Sequence, residues 1–186
     1  MPVVIDRELA SRIRLLGLDV DGVLTDNAVF IGEVDNRRVE FKRFDIQDGL
    51  GHRLLELAGI EVVWVSGRMS GATSLRGEEL GVGHVLQVPP YAKVPAIQEL
   101  LDARGLDWDA LAFVGDDLAD YPVFERAGLP IAVANARPVI KSMARYVTTL
   151  PGGHGAVREI IDLLLEARGQ TESAIHAYLA GGGRAS

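Results

Sequence analysis

The stretch Leu15-Leu16-Gly17-Leu18-Asp19-Val20-Asp21-Gly22 says more about the fold than any other part of the 186-residue chain. Its first four residues are mostly apolar and predict a buried strand, and two carboxylates follow where that strand should end. On extended backbone Asp19 and Asp21 point the same way, and like charges held so close are unfavourable unless a cation or a shared proton offsets them. The pattern fits an Asp nucleophile that accepts a phosphoryl group, with a second Asp as acid or base and a divalent metal between them; it also fits a strand that runs into an acidic turn.

Two later apolar runs also end in polar residues suited to phosphate chemistry. Residues 62–65 lead into Ser66-Gly67-Arg68, whose hydroxyl and backbone N–H groups can hold phosphate oxygens. The run Leu111–Gly115 leads into acidic residues at 116, 117 and 120, oxygen ligands of the kind that Mg²⁺ prefers. Between them Lys93 opens a helical pattern and can neutralise a phosphate or Asp19. Because ligands bind beyond the carboxyl ends of parallel strands, this order favours the phosphate-site interpretation.

This order resembles the haloacid dehalogenase superfamily of phosphatases that use an aspartate nucleophile. The matching motifs are D-x-D-G-V-L-T-D at 19–26, S-G-R at 66–68, Lys93, and G-D-D-x-x-D at 115–120. The resemblance implies a phosphatase that works through an aspartyl-phosphate intermediate with Mg²⁺ as cofactor. Dehalogenation is disfavoured, because that chemistry has no leaving alkoxide to protonate and the second Asp would be idle.

Within the superfamily the chain resembles the phosphatases of 3-deoxy-D-manno-octulosonate 8-phosphate, a sugar acid of lipopolysaccharide synthesis. The matching features are F-D-I-Q-D-G at 44–49, Arg53, Arg68, Arg76, and G-G-H-G-A-V-R-E at 152–159. The chain has Gln47 where this family usually has Arg, and His154 where it usually has a basic residue. His154 is expected either to approach phosphate or to be an ordinary turn residue.

Four residues are expected to carry the catalytic steps. Asp19 is the expected nucleophile, because every partner it needs follows in order along the chain. Asp21 is expected to protonate the leaving alkoxide and then to help deprotonate the water that hydrolyses the aspartyl-phosphate. Ser66 and Lys93 are expected to serve the phosphate, although Ser66 alone would also fit a helix N-cap.

The acidic residues are also expected to hold the metal. We expect Asp116 to be a direct ligand together with Asp19, and the resemblance implies that Asp21 contributes through its backbone carbonyl. Asp117 and Asp120 are each expected to orient the metal ligand or the lysine, or to cap a helix.

The resemblance implies a substrate-binding set that comprises Asp21, Asp45, Ile46, Gln47, Asp48, Gly49, Arg53, Arg68, Arg76 and Lys93. Arg68 and Arg76 lie close to two helical turns apart and can share a face, although solvated surface charge is the alternative. The resemblance implies that Arg68 faces the sugar-acid carboxylate; phosphatases of nine-carbon, sialic-type acids tend to carry Glu there. Two alternatives stay open: a nine-carbon sugar-acid phosphatase, and a non-catalytic module that accepts or binds a phosphoryl group.

Composition limits the classes of partner. The formal net charge of −7 argues against nucleic-acid binding, which needs a basic face. The absence of cysteine fits a reducing compartment. No apolar run approaches the ~20 residues that cross a bilayer, and no signal pattern is seen at the start. We expect a cytoplasmic protein with no membrane partner, acting on a small sugar-acid phosphate.

Short apolar runs alternate with helical patterns, which predicts an α/β fold with a doubly wound, mostly parallel sheet of the Rossmann-like kind. We expect one domain over residues 1–168, without a cap because too few residues lie between the first two motifs. A β-hairpin over about 28–44, with a polar turn at 32–36, should protrude instead, and 169–186 is expected to be a mobile tail. The expected helices are 48–58, 70–80, 138–144 and 155–167, a further strand is expected at 130–133, and His52 is expected at a surface or an interface. The resemblance implies a homotetramer in which hairpins meet and neighbouring subunits complete the site.

Overall fold

The computed structural model describes residues 5–182, so the ends of the expected domain and tail, 1–4 and 183–186, lie outside the described residues. In chain order the strands are β1 (Leu15–Leu18), β2 (Phe30–Val34), β3 (Arg37–Phe41), β4 (Glu61–Ser66), β5 (His84–Gln87), β6 (Leu111–Gly115), β7 (Leu129–Ala132) and β8 (Tyr146–Val147). Six of them form one parallel sheet in the order β5-β4-β1-β6-β7-β8, while β2 and β3 pair as a separate antiparallel hairpin. The expected mostly parallel, doubly wound sheet is confirmed. The chain reverses its direction across the sheet between β1 and β6, which is where such folds bind ligands.

Helices cover both faces of this sheet. They are α1 (Arg7–Arg12), α2 (Ile46–Leu57), α3 (Gly71–Glu79), α4 (Lys93–Asp102), α5 (Tyr121–Phe124), α6 (Pro138–Met143), α7 (Ala156–Arg168) and α8 (Thr171–Ala177). Helices α1, α2 and α8 contact α7, whereas α4 and α6 contact α5. Right-handed crossovers place these two groups on opposite faces. Within residues 5–182, the model contains no helix of the length and hydropathy needed to cross a membrane.

The centre of the core is β1, which is buried at all four residues between β4 and β6. A Cβ at Gly17 would lie 2.7 Å from Cδ2 of Phe113, so glycine allows this ring to pack across the middle of the strand. The register pairs Leu18 with Trp64 on one side and with Val114 on the other. Because the three strands end together, the polar residues that follow them meet at one edge of the sheet.

The chain turns sharply after β1. Gly22 has a φ of 99°, and a Cβ there would lie 2.1 Å from Oδ2 of Asp116. Only glycine fits both this conformation and this close approach. The Thr25 hydroxyl accepts from the Gly22 N–H at 3.3 Å and donates to the Val20 carbonyl at 3.3 Å. These two hydrogen bonds therefore fix the turn before the chain enters the hairpin.

The predicted hairpin is present within the expected bounds of about 28–44, but its first strand is longer and its turn is tighter than the sequence indicated. Gly32 pairs with Val39 inside the ladder, so the turn consists of Asp35 and Asn36, with φ values of 51° and 58°. Asp and Asn tolerate this left-handed conformation, which two-residue hairpin turns require. The hairpin lies in the segment between the first two motifs. Its exposed large apolar residues are Val29, Phe30, Ile31, Val34 and Phe41.

Two further expectations need revision. The segment beyond 168 is partly ordered, because α8 packs against α2 and α7 and its Ala174 is buried. His52 is buried rather than at a surface, for a reason given with the site below. The short elements α1, β5 and β8 were not predicted, since four or fewer strand residues or a six-residue helix give little periodic signal.

Candidate active site

The polar residues that follow the central strands enclose a cleft of about 230 Å³ at the carboxyl edge of the sheet. We call it the aspartate cleft; its lining residues are Asp19, Asp21, Asn27, Gly67, Arg68, Lys93, Asp116, Asp117, Ala119 and Asp120. It lies at the reversal point between β1 and β6, as the strand-end argument predicted. This cleft brings together the lysine that begins α4 and the five carboxylates that the sequence analysis placed after β1 and β6, namely Asp19, Asp21, Asp116, Asp117 and Asp120.

Lys93 is the centre of this arrangement. Its Nζ donates to Oδ1 of Asp19 at 2.5 Å and to Oδ1 of Asp120 at 2.7 Å, and all three side chains are buried. Burial lowers the pKa of Lys93, but the two carboxylates outweigh it and hold that pKa above its usual value. Burial, reinforced by the charge of Asp120, raises the pKa of Asp19 well above its usual range despite the lysine. A cation bound beside Asp19 would favour its ionised form.

The carboxylates fit a hard divalent cation. Oxygens of Asp19, Asp116 and Asp120 lie within 4.8 Å of one another. Asp120 has both oxygens engaged, since Oδ1 accepts from Lys93 and Oδ2 accepts from the backbone N–H of Asp116 at 2.9 Å. Asp120 is thus placed to orient its neighbours, while Asp19 and Asp116 are placed to bind the cation. Burial, together with the charge of Asp120, raises the pKa of Asp116 to about 7, a cost that a cation would offset.

Asp117 and Asp21 lie at the outer side of the cleft. The Asp117 carboxylate caps the short helical turn that follows β6, accepting from the Leu118 N–H at 2.7 Å. The Asp21 carboxylate turns away from the metal-binding oxygens and meets Lys42 Nζ at 2.7 Å. The Lys42 side chain is fully buried and also donates to the Thr73 hydroxyl at 3.1 Å. Asp21 therefore keeps its carboxyl group off the cation site, as a proton-transfer residue requires.

Ser66 lies at the end of β4 and is buried. Its hydroxyl donates to the Arg68 carbonyl at 3.0 Å and accepts from the Arg68 N–H at 3.3 Å, which closes the turn that presents Gly67 and Arg68 to the cleft. The N-cap of α3 is Ser70, not Ser66. Ser66 thus directly precedes the two turn residues that line the cleft, and its contact with phosphate stays a prediction.

The two arginines expected to be unpaired at the cleft mouth both have carboxylate partners. Arg68 lines the cleft, and its Nη1 and Nη2 donate to Glu40 of β3 at 3.1 Å and 2.6 Å. Hydrogen bonds from Arg68 lower the pKa of Glu40 to about 2, so the pair is ionic at neutral pH. Arg76 Nη1 lies 2.7 Å from Oε2 of Glu79 on the same helix, and Arg76 is not among the lining residues given above for the aspartate cleft.

The F-D-I-Q-D-G motif forms the start of α2, outside the aspartate cleft. Asp45 caps the helix by accepting from the Gln47 N–H at 2.8 Å, and Ile46 and Gln47 are exposed. Asp48 is buried and accepts from the Arg158 N–H of α7 at 2.7 Å, while burial raises its pKa to about 7. Gly49 is buried beside the Arg76 guanidinium, and Arg53 pairs with Glu56. The substrate contacts expected of this motif stay predictions.

His52 was expected at a surface, and that prediction is wrong. Its Nδ1 lies 2.7 Å from the Asp48 carbonyl and its Nε2 accepts from Trp64 Nε1 at 2.9 Å, so the ring is neutral with its proton on Nδ1. Burial lowers the pKa of His52 to about 4. The signal was present in the sequence, because His52 falls on the same helical stripe as Asp48 and Leu55, both buried.

Sequence reasoning also missed the side chains that hold the loops of the site. Asn135 donates from Nδ2 to the Gly22 carbonyl at 3.0 Å and accepts from the Gly152 N–H at 2.7 Å. Arg43 donates to the Gly153 carbonyl at 2.9 Å. Like Glu40 and Lys42, these residues reach the site from distant parts of the chain. The sequence signal for these contacts was the two-residue spacing of Glu40 and Lys42, which places both side chains on the same side of an extended chain.

Comparison with known proteins agrees with this geometry. Residues 88–160 match the family model of haloacid dehalogenase-like hydrolases. The 3-deoxy-D-manno-octulosonate 8-phosphate phosphatase KdsC of Escherichia coli K12 is 43% identical over 165 residues, which cover 89% of this chain and 86% of the relative.

Solved structures of such phosphatases share the fold. That of Moraxella catarrhalis, in complex with magnesium ion, phosphate ion and a KDO molecule, has a TM-score of 0.86 at 34% identity, covering 92% of this chain and 97% of the other. The Yersinia pestis enzyme has a TM-score of 0.84 at 40% identity, covering 89% of this chain and 88% of the other.

Proposed function

The chain belongs to the 3-deoxy-D-manno-octulosonate 8-phosphate phosphatases of the haloacid dehalogenase superfamily, and from this premise we propose that it hydrolyses that sugar-acid phosphate. The products would be 3-deoxy-D-manno-octulosonate and phosphate. Phosphatase activity follows from the family; the substrate, the metal and the covalent route are our proposal. The observation that carries it is the buried bridge from Lys93 to Asp19 and Asp120 beside Asp116.

In the first step an oxygen of Asp19 attacks phosphorus and the bond to the sugar oxygen breaks, which gives an aspartyl-phosphate. Lys93 holds the nucleophile in place and balances its charge as the dianion approaches. We expect the phosphate oxygens to accept from the Gly67 N–H and from the Ser66 hydroxyl, which would have to leave its present acceptor, the Arg68 carbonyl. Mg²⁺, held by Asp19, Asp116 and the backbone carbonyl of Asp21, would supply further neutralisation of the phosphate charge.

Asp21 handles the proton in both steps. It gives a proton to the leaving sugar alkoxide, then takes one from the water that attacks the aspartyl-phosphate. Its carboxyl group lies outside the cluster of oxygens formed by Asp19, Asp116 and Asp120, which leaves it available for proton transfer and supports this role. A non-catalytic phosphoryl acceptor would not need such a group.

Substrate choice rests on Arg68, the guanidinium in the lining of the cleft. The phosphate end is served by the lysine, the serine turn and the metal, so an arginine at the mouth suits a carboxylate at the other end of the substrate. A phosphatase of nine-carbon sialic-type acids is the second candidate, since its substrates also carry a carboxylate. Arg in place of Glu at this position favours the eight-carbon acid.

A panel of phosphate esters tests the function. We expect phosphate release from 3-deoxy-D-manno-octulosonate 8-phosphate with a higher kcat/KM than from a nine-carbon acid phosphate or from sugar phosphates without a carboxylate. Chelator-treated protein should be inactive and should recover with Mg²⁺. Stable phosphorylation of Asp19 without turnover would instead support the acceptor module, and full activity after exhaustive chelation would contradict the metal.

We also propose that the protein is a homotetramer assembled through the hairpin. The support is the set of exposed apolar side chains on β2 and β3, of which Phe30 is 60% and Phe41 63% exposed. Burying such a surface between copies would cover an apolar patch and a sheet edge. Light scattering should give four times the monomer mass, and a fully active monomer at micromolar concentration would contradict the assembly.

A further inference from the structure

The base of the hairpin reaches the aspartate cleft through Glu40. One Glu40 oxygen accepts from Arg68 Nη1 at 3.1 Å and from the Ser70 hydroxyl at 2.5 Å, and the other accepts from Arg68 Nη2 at 2.6 Å. The Glu40 side chain is 15% exposed, against 38% for Arg68. The carboxylate is thus the more enclosed partner of the pair, and it is tied to the turn that precedes α3 by a contact of its own.

Without Glu40, the Arg68 guanidinium would have other partners within reach. The cleft beside it is lined by five carboxylates, and the charge of Asp21 already acts on the guanidinium. An arginine side chain has several rotatable bonds, so it does not stay in one orientation unless it is held. An unheld Arg68 would turn onto Asp21 or sample solvent, and in either position it would be lost to a substrate.

We propose that Glu40 is a positioning residue that holds Arg68 in place for the substrate carboxylate. Two of the five guanidinium N–H groups donate to Glu40, which leaves three for a ligand at the mouth of the cleft. This inference rests on the proposed function, because it needs a substrate that carries a carboxylate as well as a phosphate. Specificity would then come partly from the hairpin, not only from the sheet edge.

Lys42 explains why Glu40 does not repel an anionic substrate. Glu40 lies near the end of β3, and Lys42 follows it by two residues, just beyond the strand. The lysine charge, like that of Arg68, acts on the Glu40 carboxylate. The charge of Glu40 is therefore balanced by its ion pair with Arg68 and offset slightly more by Lys42, whose direct partner is Asp21, so the spare donors of Arg68 remain attractive to a carboxylate.

The test compares two esters in one variant. Glu40→Gln should lower kcat/KM for 3-deoxy-D-manno-octulosonate 8-phosphate about tenfold, the usual scale of one charged hydrogen bond, and change that for p-nitrophenyl phosphate less than twofold. Glu40→Asp, which keeps the charge, should recover part of the loss. Glu33→Gln, at an exposed site on β2, is the matched control and should leave both values unchanged.

A double-mutant cycle separates positioning from a structural effect. If Glu40 acts through Arg68, Glu40→Gln should cause no further loss in an Arg68→Ala background. Additive losses, or a gain of kcat/KM in Glu40→Gln, would overturn the inference. An Arg68→Ala loss without a Glu40→Gln loss would overturn this inference alone. An Arg68→Ala variant with unchanged ester preference would overturn the substrate proposed above and this inference with it.

Discussion

The floor of the aspartate cleft and its mouth are built in different ways. On the floor, Lys93 bridges Asp19 and Asp120, and all three side chains are buried at the ends of packed elements. At the mouth, Arg68 is partly exposed and its partner Glu40 comes from a hairpin outside the sheet. The comparison indicates that the residues at the sheet edge determine the reaction, whereas the hairpin influences which substrates bind.

The difference has an energetic side. Removing one member of a buried ion pair leaves an uncompensated charge and typically costs about 3–5 kcal/mol, whereas an exposed pair contributes about 0–1 kcal/mol. Changes on the floor should therefore affect every substrate, and changes at the mouth should affect only ligands that touch it. Two esters distinguish these cases: the sugar-acid phosphate, and p-nitrophenyl phosphate, which has no carboxylate.

The largest effect is expected on the floor, from Asp19→Asn. Loss of the nucleophile should lower kcat/KM by at least about 10⁴-fold for both esters, because no neighbouring group can replace the covalent step. Steady-state phosphate release measures it, with circular dichroism as the check on folding. An Asn variant within tenfold of the natural protein would refute covalent catalysis by this residue.

The next effect should come from Asp120→Asn, which removes the group that orients both Lys93 and Asp116. Outer partners of this kind are worth about 10–100-fold, and the loss should again be equal for the two esters. Calorimetric titration should also show weaker Mg²⁺ binding. Asp102→Asn, at an exposed position on α4, is the control. A loss confined to the sugar-acid phosphate would remove the distinction between floor and mouth.

The floor and Arg68 could be predicted from the sequence, whereas the partner of Arg68 at the mouth could not, for a physical reason. Parallel strands end at one edge, so apolar runs followed by Asp19, Ser66 and Asp116 fix which side chains meet. The hairpin has no such rule: the pairing of Glu40 with Arg68 depends on how it folds back over the sheet. By contrast, the burial of His52 could have been predicted, because His52 lies on the same helical face as the buried Leu55.

At the mouth, Arg68→Ala should lower kcat/KM for the sugar-acid phosphate about 10–100-fold, because a charge-assisted pair contributes about 1.5–3 kcal/mol. Hydrolysis of p-nitrophenyl phosphate should change less than twofold. Arg68→Lys should rescue only in part, since a point charge cannot reproduce the fork. Arg37→Ala, at an exposed position on β3, is the control. Equal losses on both esters would place Arg68 at the phosphate.

The smallest effect concerns the layer beneath α2, where His52 is buried between Asp48 and Trp64. Its pKa of about 4 lies below the usual 6.5, so the unfolded chain binds a proton between these values that the folded chain does not. His52 therefore lowers the free energy of unfolding as pH falls, by about 2 kcal/mol from pH 7 to pH 5.

His52→Gln removes this titration while its amide can still donate to the Asp48 carbonyl and accept from Trp64. Urea unfolding at pH 7 and pH 5 should therefore show the variant gaining about 2 kcal/mol on the natural protein at the lower pH. His84→Gln, at a more exposed histidine, is the matched control variant. Parallel pH curves for His52→Gln and the natural protein would mean that this histidine titrates normally in the fold. Catalysis at neutral pH should not respond, because the ring is already neutral there and touches no residue of the aspartate cleft as described.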